Sequence, residues 1–423
     1  MSRDLAVFNV ARAPDGALTM EGVRLIDVAR EFGTPCYVYS QAALMAAFHG
    51  LDRALRTARA GRPYLICYAV KANSNLSILS LFASLGAGFD IVSGGELRRV
   101  LAAGGDARKV VFSGLGKTAD EMALALEAGI KCFNVESEPE LERLNGVAGR
   151  LGVRAPVSLR VNPDVDAKTH PYISTGLKNN KFGVAFERAR DVYARAATMP
   201  HIDVIGVDCH IGSQLTDTAP LTEAMGKIVA LADELAAAGI PLHHVCPGGG
   251  IGITYRDEAP IDLAAYASAL QAALGERDVE LLLEPGRVLV GNAGVLLTRV
   301  EYVKPSTAKN FTVVDAAMND LIRPSLYQAH HEVLNAGESS AAPLDCDVVG
   351  PVCESADVLA YNRRVSAREG DILALLSAGA YGFVMASNYN SRPRAAEVLI
   401  SAGVPRVVRK RESFDDLIAH ERV

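Results

Sequence analysis

A chain of 423 residues with 49% hydrophobic side chains has room for one large barrel and a smaller domain, and its composition supports an extensive core. The net charge of −6 argues against nucleic acid or an anionic membrane as the main partner, and no apolar run reaches the roughly 18 residues of a transmembrane helix. Met1–Val10 lacks a basic stretch followed by an apolar one, so no signal peptide is expected, and seven cysteines without a C-x-x-C pair fit a reduced, cytoplasmic setting.

In chain order, the first thirty or so residues hold short strand-like pieces, Leu5–Val10 and Val23–Leu25. Eight apolar runs follow, each stopped by a polar, basic or Gly-rich loop: Tyr64–Val70, Phe89–Val92, Val110–Phe112, Cys132–Val135, Val157–Val161, Val204–His210, Leu242–Cys246 and Glu280–Leu283. Between them the Ala- and Leu-rich stretches Ser77–Leu85, Glu96–Ala103, Thr118–Ala128, Glu138–Ala148, Phe186–Ala197, Leu221–Ala238 and Asp262–Leu274 read as helices. Near-continuous apolar strands fit a parallel sheet covered by helices. Eight such units predict an α/β fold, a (β/α)8 TIM barrel over residues 34–291, with an open doubly wound sheet as the alternative. After Asn292 the texture turns strand-like: Val295–Val303, Asn310–Asp315, Asp347–Val349, Asp357–Tyr361, Asp371–Leu376 and Glu397–Ser401. Residues 292–423, completed by 1–33, are therefore expected to form a mainly β domain. Ser413–Glu421 reads as a terminal helix capped by Ser413.

In a barrel of this kind chemistry sits where strands finish. The first strand ends Tyr68-Ala69-Val70-Lys71-Ala72-Asn73. A lysine at the tip of a buried apolar strand is either paired or used as an amine nucleophile. Later strand ends bring Ser93-Gly94-Gly95-Glu96, Arg160 with Asn162, His210-Ile211-Gly212-Ser213, Gly248-Gly249-Gly250 and Glu284-Pro285-Gly286-Arg287. The glycine triplet suits a phosphate cradle as well as a tight strand-to-helix turn. No Gly-Lys-Ser/Thr follows it, so it is not a P-loop, and it lacks the spacing of a dinucleotide fingerprint. A strand-end lysine, an anion cradle and the carboxylate of Glu284 together point to pyridoxal 5'-phosphate, which needs an amine, a phosphate site and a partner for its ring nitrogen. His210 could lie against the ring face. The histidines are dispersed, and the adjacent pairs His243-His244 and His330-His331 suit a shared metal ion poorly, so no metal is expected.

These motifs resemble the fold-type III pyridoxal-phosphate decarboxylases. Met318-Asn319-Asp320-Leu321-Ile322-Arg323-Pro324-Ser325-Leu326-Tyr327, Gly350-Pro351-Val352-Cys353-Glu354 and Gly379-Ala380-Tyr381-Gly382 narrow the resemblance to the diaminopimelate decarboxylases, in order and over nearly the whole chain. The resemblance implies that Lys71 forms the Schiff base, His210 stacks on the ring and Glu284 pairs with its nitrogen. Ser213, Gly249, Gly250 and Tyr381 would hold the phosphate or its surroundings, and Gly286 and Arg287 would also contact the cofactor. Arg287, Arg323, Tyr327, Glu354 and Tyr381 would contact the substrate, and Cys353 would donate the proton that replaces carbon dioxide. A homodimer is implied, with the Cys353-Glu354 loop reaching the partner's barrel. The implied reaction is decarboxylation of meso-2,6-diaminopimelate to L-lysine, the last step of lysine biosynthesis. The alternatives are ornithine, arginine or carboxynorspermidine as substrate, or a homologue that binds the cofactor without catalysis. Arg323 separates the substrates: a guanidinium suits a distal carboxylate, whereas a diamine precursor would want an acid there.

Overall fold

The structure, a computed structural model, describes residues 4–166 and 181–423. It divides into two compact units, one of Phe48–Gly252 and Pro260–Gly286, the other of Met1–Ala47, Ile253–Ala259 and Arg287–Val423.

The first unit is a closed barrel of eight parallel strands, Tyr64–Ala69, Gly88–Ile91, Val110–Phe112, Cys132–Val135, Ala155–Asn162, Ile202–Asp208, His244–Cys246 and Glu280–Leu283. Closure comes from the last strand pairing with the first, Leu281 opposite Tyr64 and Leu283 opposite Ile66, which removes the open-sheet alternative. The strands are largely apolar because both of their faces are covered: every residue of Val110–Phe112 and Cys132–Val135 is buried. Cys67, Val111, Cys132, Cys246 and Leu282, from different strands, pack into one buried cluster.

The loop that stops each strand also starts the next helix. Asn75, Ser93, Thr118, Ser137 and Asp262 each accept a backbone N–H of the helix that follows, and Thr118 forms a full capping box with Glu121. These polar residues thus have a structural task independent of chemistry.

The second unit is built on a sheet whose strands run in the order Val358–Val365, Leu344–Val349, Asn310–Val314, Gly294–Lys304, Cys36–Ser40, Ala396–Ser401 and Val404–Arg409. Ile372–Leu375 pairs with Gly294–Lys304 and with Val333–Asn335. Four expectations change here. Cys36–Ser40, assigned to the barrel segment by a boundary at 34, lies inside this sheet, antiparallel to Gly294–Lys304 and parallel to Ala396–Ser401. All five of its residues are buried, and an apolar run that short does not say which sheet it joins. At the other boundary, helix Arg287–Val290 also falls in this unit. Leu5–Phe8 is a 3-10 turn rather than a strand: Asp4 caps its start, and Asn9 ends it in the left-handed region at φ 54°. The terminal helix spans Phe414–Ile418, shorter than expected, with Ser413 accepting from the Asp416 N–H as its cap. Among the described residues no helix is long and apolar enough to cross a membrane.

Candidate active site

In the barrel unit Lys71 sits in the 3-10 turn Val70–Ala72, directly after the first strand. Its Nζ lies 2.7 Å from Asp90 Oδ2, at the second strand's end. Asp90 is fully buried while the lysine side chain is 37% exposed, so the amine is held at the boundary of the core. Asp90 was not among the expected site residues. Its signal was present: an acid inside Phe89-Asp90-Ile91-Val92 is costly to bury without a cation.

Further acids surround this pair. The Glu284 carboxylate accepts from Asn134 Nδ2 at 2.9 Å. Burial, then Asp208 and Asp90, push its carboxyl well above the usual range against the pull of Lys71 and Arg160. Asp208 is raised in the same way, by burial first, opposed by Arg160 and by a hydrogen bond from the Cys246 thiol. Ligand atoms of Asp208, Cys246 and Glu284 lie within 4.8 Å of one another. Oδ1 atoms of both Asp90 and Asp208 are buried without a hydrogen-bond partner. Glu96, whose carboxylate accepts from Val92 N, is pushed up to about 7, by burial above all. Arg160 opposes part of this charge, is paired with Glu136 3.0 Å away, and stands over the Phe182 ring.

His210 is half-buried, and burial followed by Arg160 and Lys71 pulls its imidazole well below the usual range. It is neutral, and its Nδ1 accepts from Gly249 N at 3.3 Å. The glycine triplet has a steric reason of its own. A Cβ on Gly249 would overlap the carbonyl oxygen of Glu284, and one on Gly250 would overlap that of Gly212. Gly250 also has φ 97°. The triplet therefore lets neighbouring strand ends approach backbone to backbone, and Gly286 packs less tightly, with the Cβ atoms of Ala72 and Ala69 3.1 and 3.2 Å from where its own Cβ would stand. Lys71, His210, Ser213, Gly249, Gly250, Glu284 and Gly286 all belong to this unit.

Arg287, Arg323, Tyr327, Cys353, Glu354 and Tyr381 belong to the β unit. Arg287 and Arg323 are each only 6% exposed. Arg287 donates to the Tyr255 hydroxyl at 2.6 Å, and its guanidinium carbon stands 4.8 Å from the centre of the Tyr381 ring. Arg323 lies 4.6 Å from the Tyr255 ring centre and meets His331 Nε2 at 2.9 Å. Burial, then Arg287, lower its affinity for its proton, with the tyrosines opposing. No carboxylate pairs with Arg323 among the described residues. Cys353 is exposed, whereas the other six cysteines are buried and free. Its backbone N–H donates to Asn390 Oδ1 at 3.1 Å, and the neighbouring Glu354 carboxylate accepts from the Tyr389 hydroxyl at 2.6 Å. Tyr255, His331, Tyr389 and Asn390 had not been singled out as site residues. Tyr389 and Asn390 stand in the conspicuous run Asn388-Tyr389-Asn390-Ser391-Arg392-Pro393-Arg394, but Tyr255 carries no local signal.

Residues 45–291 match the family of the pyridoxal-dependent decarboxylases, in its pyridoxal binding domain. The chain is 59% identical over 407 residues to the diaminopimelate decarboxylase of Pseudomonas aeruginosa, covering 96% of this chain and 97% of that one. It belongs to the diaminopimelate decarboxylases. Two solved structures of the family, both in complex with L-lysine, share its fold. The Helicobacter pylori enzyme has a TM-score of 0.90 and 45% identity over 94% of this chain and 99% of that one. The M. jannaschii enzyme has a TM-score of 0.93 and 39% identity over 98% of each chain. Family membership makes the protein a pyridoxal-phosphate enzyme. The barrel's residues fit that group: an amine at a strand end, a half-buried neutral imidazole, and a surplus of buried carboxylates that a protonated ring nitrogen would relieve.

Proposed function

We propose that the protein removes carbon dioxide from meso-2,6-diaminopimelate to yield L-lysine, using pyridoxal 5'-phosphate. When bound, the cofactor supplies an electron sink for the pair left on Cα as the carboxylate departs. Lys71 is the residue that would hold it covalently, and Asp90 keeps that amine in place meanwhile. Glu284 would hold the ring nitrogen's proton, since a carboxylate in so acidic a surrounding favours a cationic neighbour. His210, fixed as a neutral ring by Gly249, offers a flat apolar face without adding charge. Ser213, Gly249, Gly250 and Tyr381 are assigned to the cofactor's phosphate, and Gly286 and Arg287 to the cofactor. Arg287, Arg323, Tyr327, Glu354 and Tyr381 are assigned to the substrate, and Cys353 to delivery of the proton at Cα.

The observation that carries the choice of substrate is Arg323, a buried guanidinium that no carboxylate of the described chain neutralises. It favours a ligand with a carboxylate to spare, and ornithine-like diamine precursors lack one at the distal end. We also propose a homodimer in the cytoplasm, in which the exposed Cys353-Glu354 loop, braced by Tyr389 and Asn390, completes the partner's site. Carbon dioxide release from a panel of diaminopimelate, ornithine, arginine and carboxynorspermidine tests the reading. Turnover of ornithine with none of diaminopimelate would overturn it.

A further inference from the structure

His331 has both ring nitrogens assigned by its partners. Its Nδ1 lies 2.8 Å from the Leu376 carbonyl oxygen, which only accepts, so Nδ1 carries a hydrogen. Its Nε2 lies 2.9 Å from Arg323 Nη1, which only donates, so Nε2 presents a lone pair. The imidazole is therefore uncharged. The side chain is fully buried, and burial followed by the Arg323 charge opposes its protonation. Tyr255 completes the arrangement. Its ring meets His331 edge-on, at 5.5 Å between centres and 83° between planes, and stands 4.6 Å from the Arg323 guanidinium. Its hydroxyl accepts from Arg287. One tyrosine thus touches both arginines, one by its ring and one by its oxygen.

A buried arginine is commonly fixed by a carboxylate, which also cancels its charge. Arg323 is fixed instead by a neutral imidazole and an aromatic ring. We propose that Tyr255 and His331 are positioning residues for substrate specificity: they orient Arg323 and Arg287 while leaving the Arg323 charge available to a carboxylate of the substrate. This rests on the decarboxylase reading above and deepens it by naming what keeps the arginine's charge uncancelled.

The test is steady-state kinetics of the holoenzyme on meso-diaminopimelate, with melting temperature and cofactor absorbance recorded for every variant. His331→Gln supplies a neutral acceptor and should raise KM by about tenfold at most, with kcat near wild type. His331→Glu should raise KM by about a hundredfold, because it fixes the guanidinium but neutralises it. Tyr255→Phe keeps the ring and loses the oxygen, and should raise KM by about tenfold. A purely structural role predicts the reverse order for His331, since a carboxylate is the stronger acceptor. KM no higher in His331→Glu than in His331→Gln therefore overturns the proposal. Should the glutamate variant fail to fold, unchanged KM in both His331→Gln and Tyr255→Phe overturns it instead. A wild-type holoenzyme inactive on diaminopimelate would sink the decarboxylase reading itself, and the inference with it.

Discussion

Lys71 in the barrel unit and Arg323 in the β unit are both cations drawn into protein, and their surroundings are opposite. Lys71 meets Asp90 at 2.7 Å and stands among acids whose carboxyls burial and mutual repulsion push upward. Arg323 meets an imidazole and a tyrosine ring and no carboxylate among the described residues. Asp90 and Asp208 each keep a buried oxygen without a hydrogen-bond partner, and Arg323 keeps a charge that no carboxylate among the described residues cancels. The contrast predicts the missing partner: a cationic ring nitrogen for the barrel's acids, an anionic substrate group for Arg323.

The largest effect that would break this contrast is at Lys71. Lys71→Ala should abolish carbon dioxide release while the melting curve shows an intact fold; retained turnover would refute the covalent role. Arg323→Ala comes next. Loss of a charged hydrogen bond costs about 1.5–3 kcal/mol, so KM for diaminopimelate should rise roughly ten- to hundredfold, and unchanged kinetics would mean another residue reads the carboxylate. Gly249→Ala separates packing from ligand binding in the barrel. Its Cβ would overlap the Glu284 carbonyl, so it should destabilise even the cofactor-free protein by about 1–3 kcal/mol in denaturant melts. A variant as stable as wild type would leave the glycine to the phosphate alone. Removing the capping box with Thr118→Ala should cost about 1 kcal/mol without altering KM, which kinetics and melts together would check.

A further test is a pH dependence. Glu96 holds its proton up to about 7 in the folded barrel, against an ordinary 4.5. Between those values the folded state binds more protons than the unfolded chain. The stability it contributes is thus present below 4.5 and lost as pH rises through about 7. Glu412 in the β unit, held down to about 2 chiefly by Arg394 despite the opposing effect of its burial, works the other way and loses its contribution only as pH falls from 4.5 through about 2. Wild type should therefore lose melting temperature between about pH 5 and pH 8 by more than Glu96→Gln does, and equal losses would remove Glu96 from the account.

Much of this was legible before folding. Barrel strands are largely apolar because both faces are covered, and their ends carry polar residues because chemistry and helix caps both sit there. So Lys71, His210, Gly249 and Glu284 stood out in a linear reading. Cys36–Ser40 was misplaced because a five-residue apolar run fits either sheet equally well. Leu5–Phe8 was misread because its short apolar run outweighed the flanking Asp4 and Asn9, which close a 3-10 turn.

Eight strand–loop–helix units, the residues at their ends, the family, and an arginine suited to a distal carboxylate could all be read from the linear chain. Those are local properties, set by side-chain periodicity and by what a strand end can tolerate. Tertiary structure alone decided the partners: Asp90 for Lys71, Tyr255 for both arginines, and His331 as the uncharged support of Arg323. Tyr255 lies 68 positions before Arg323 in the chain and in no motif, and only packing brings its ring to the guanidinium. Whether a buried charge is cancelled or kept depends on the neighbour that folding delivers, because in a low-dielectric interior the nearest groups set its energy.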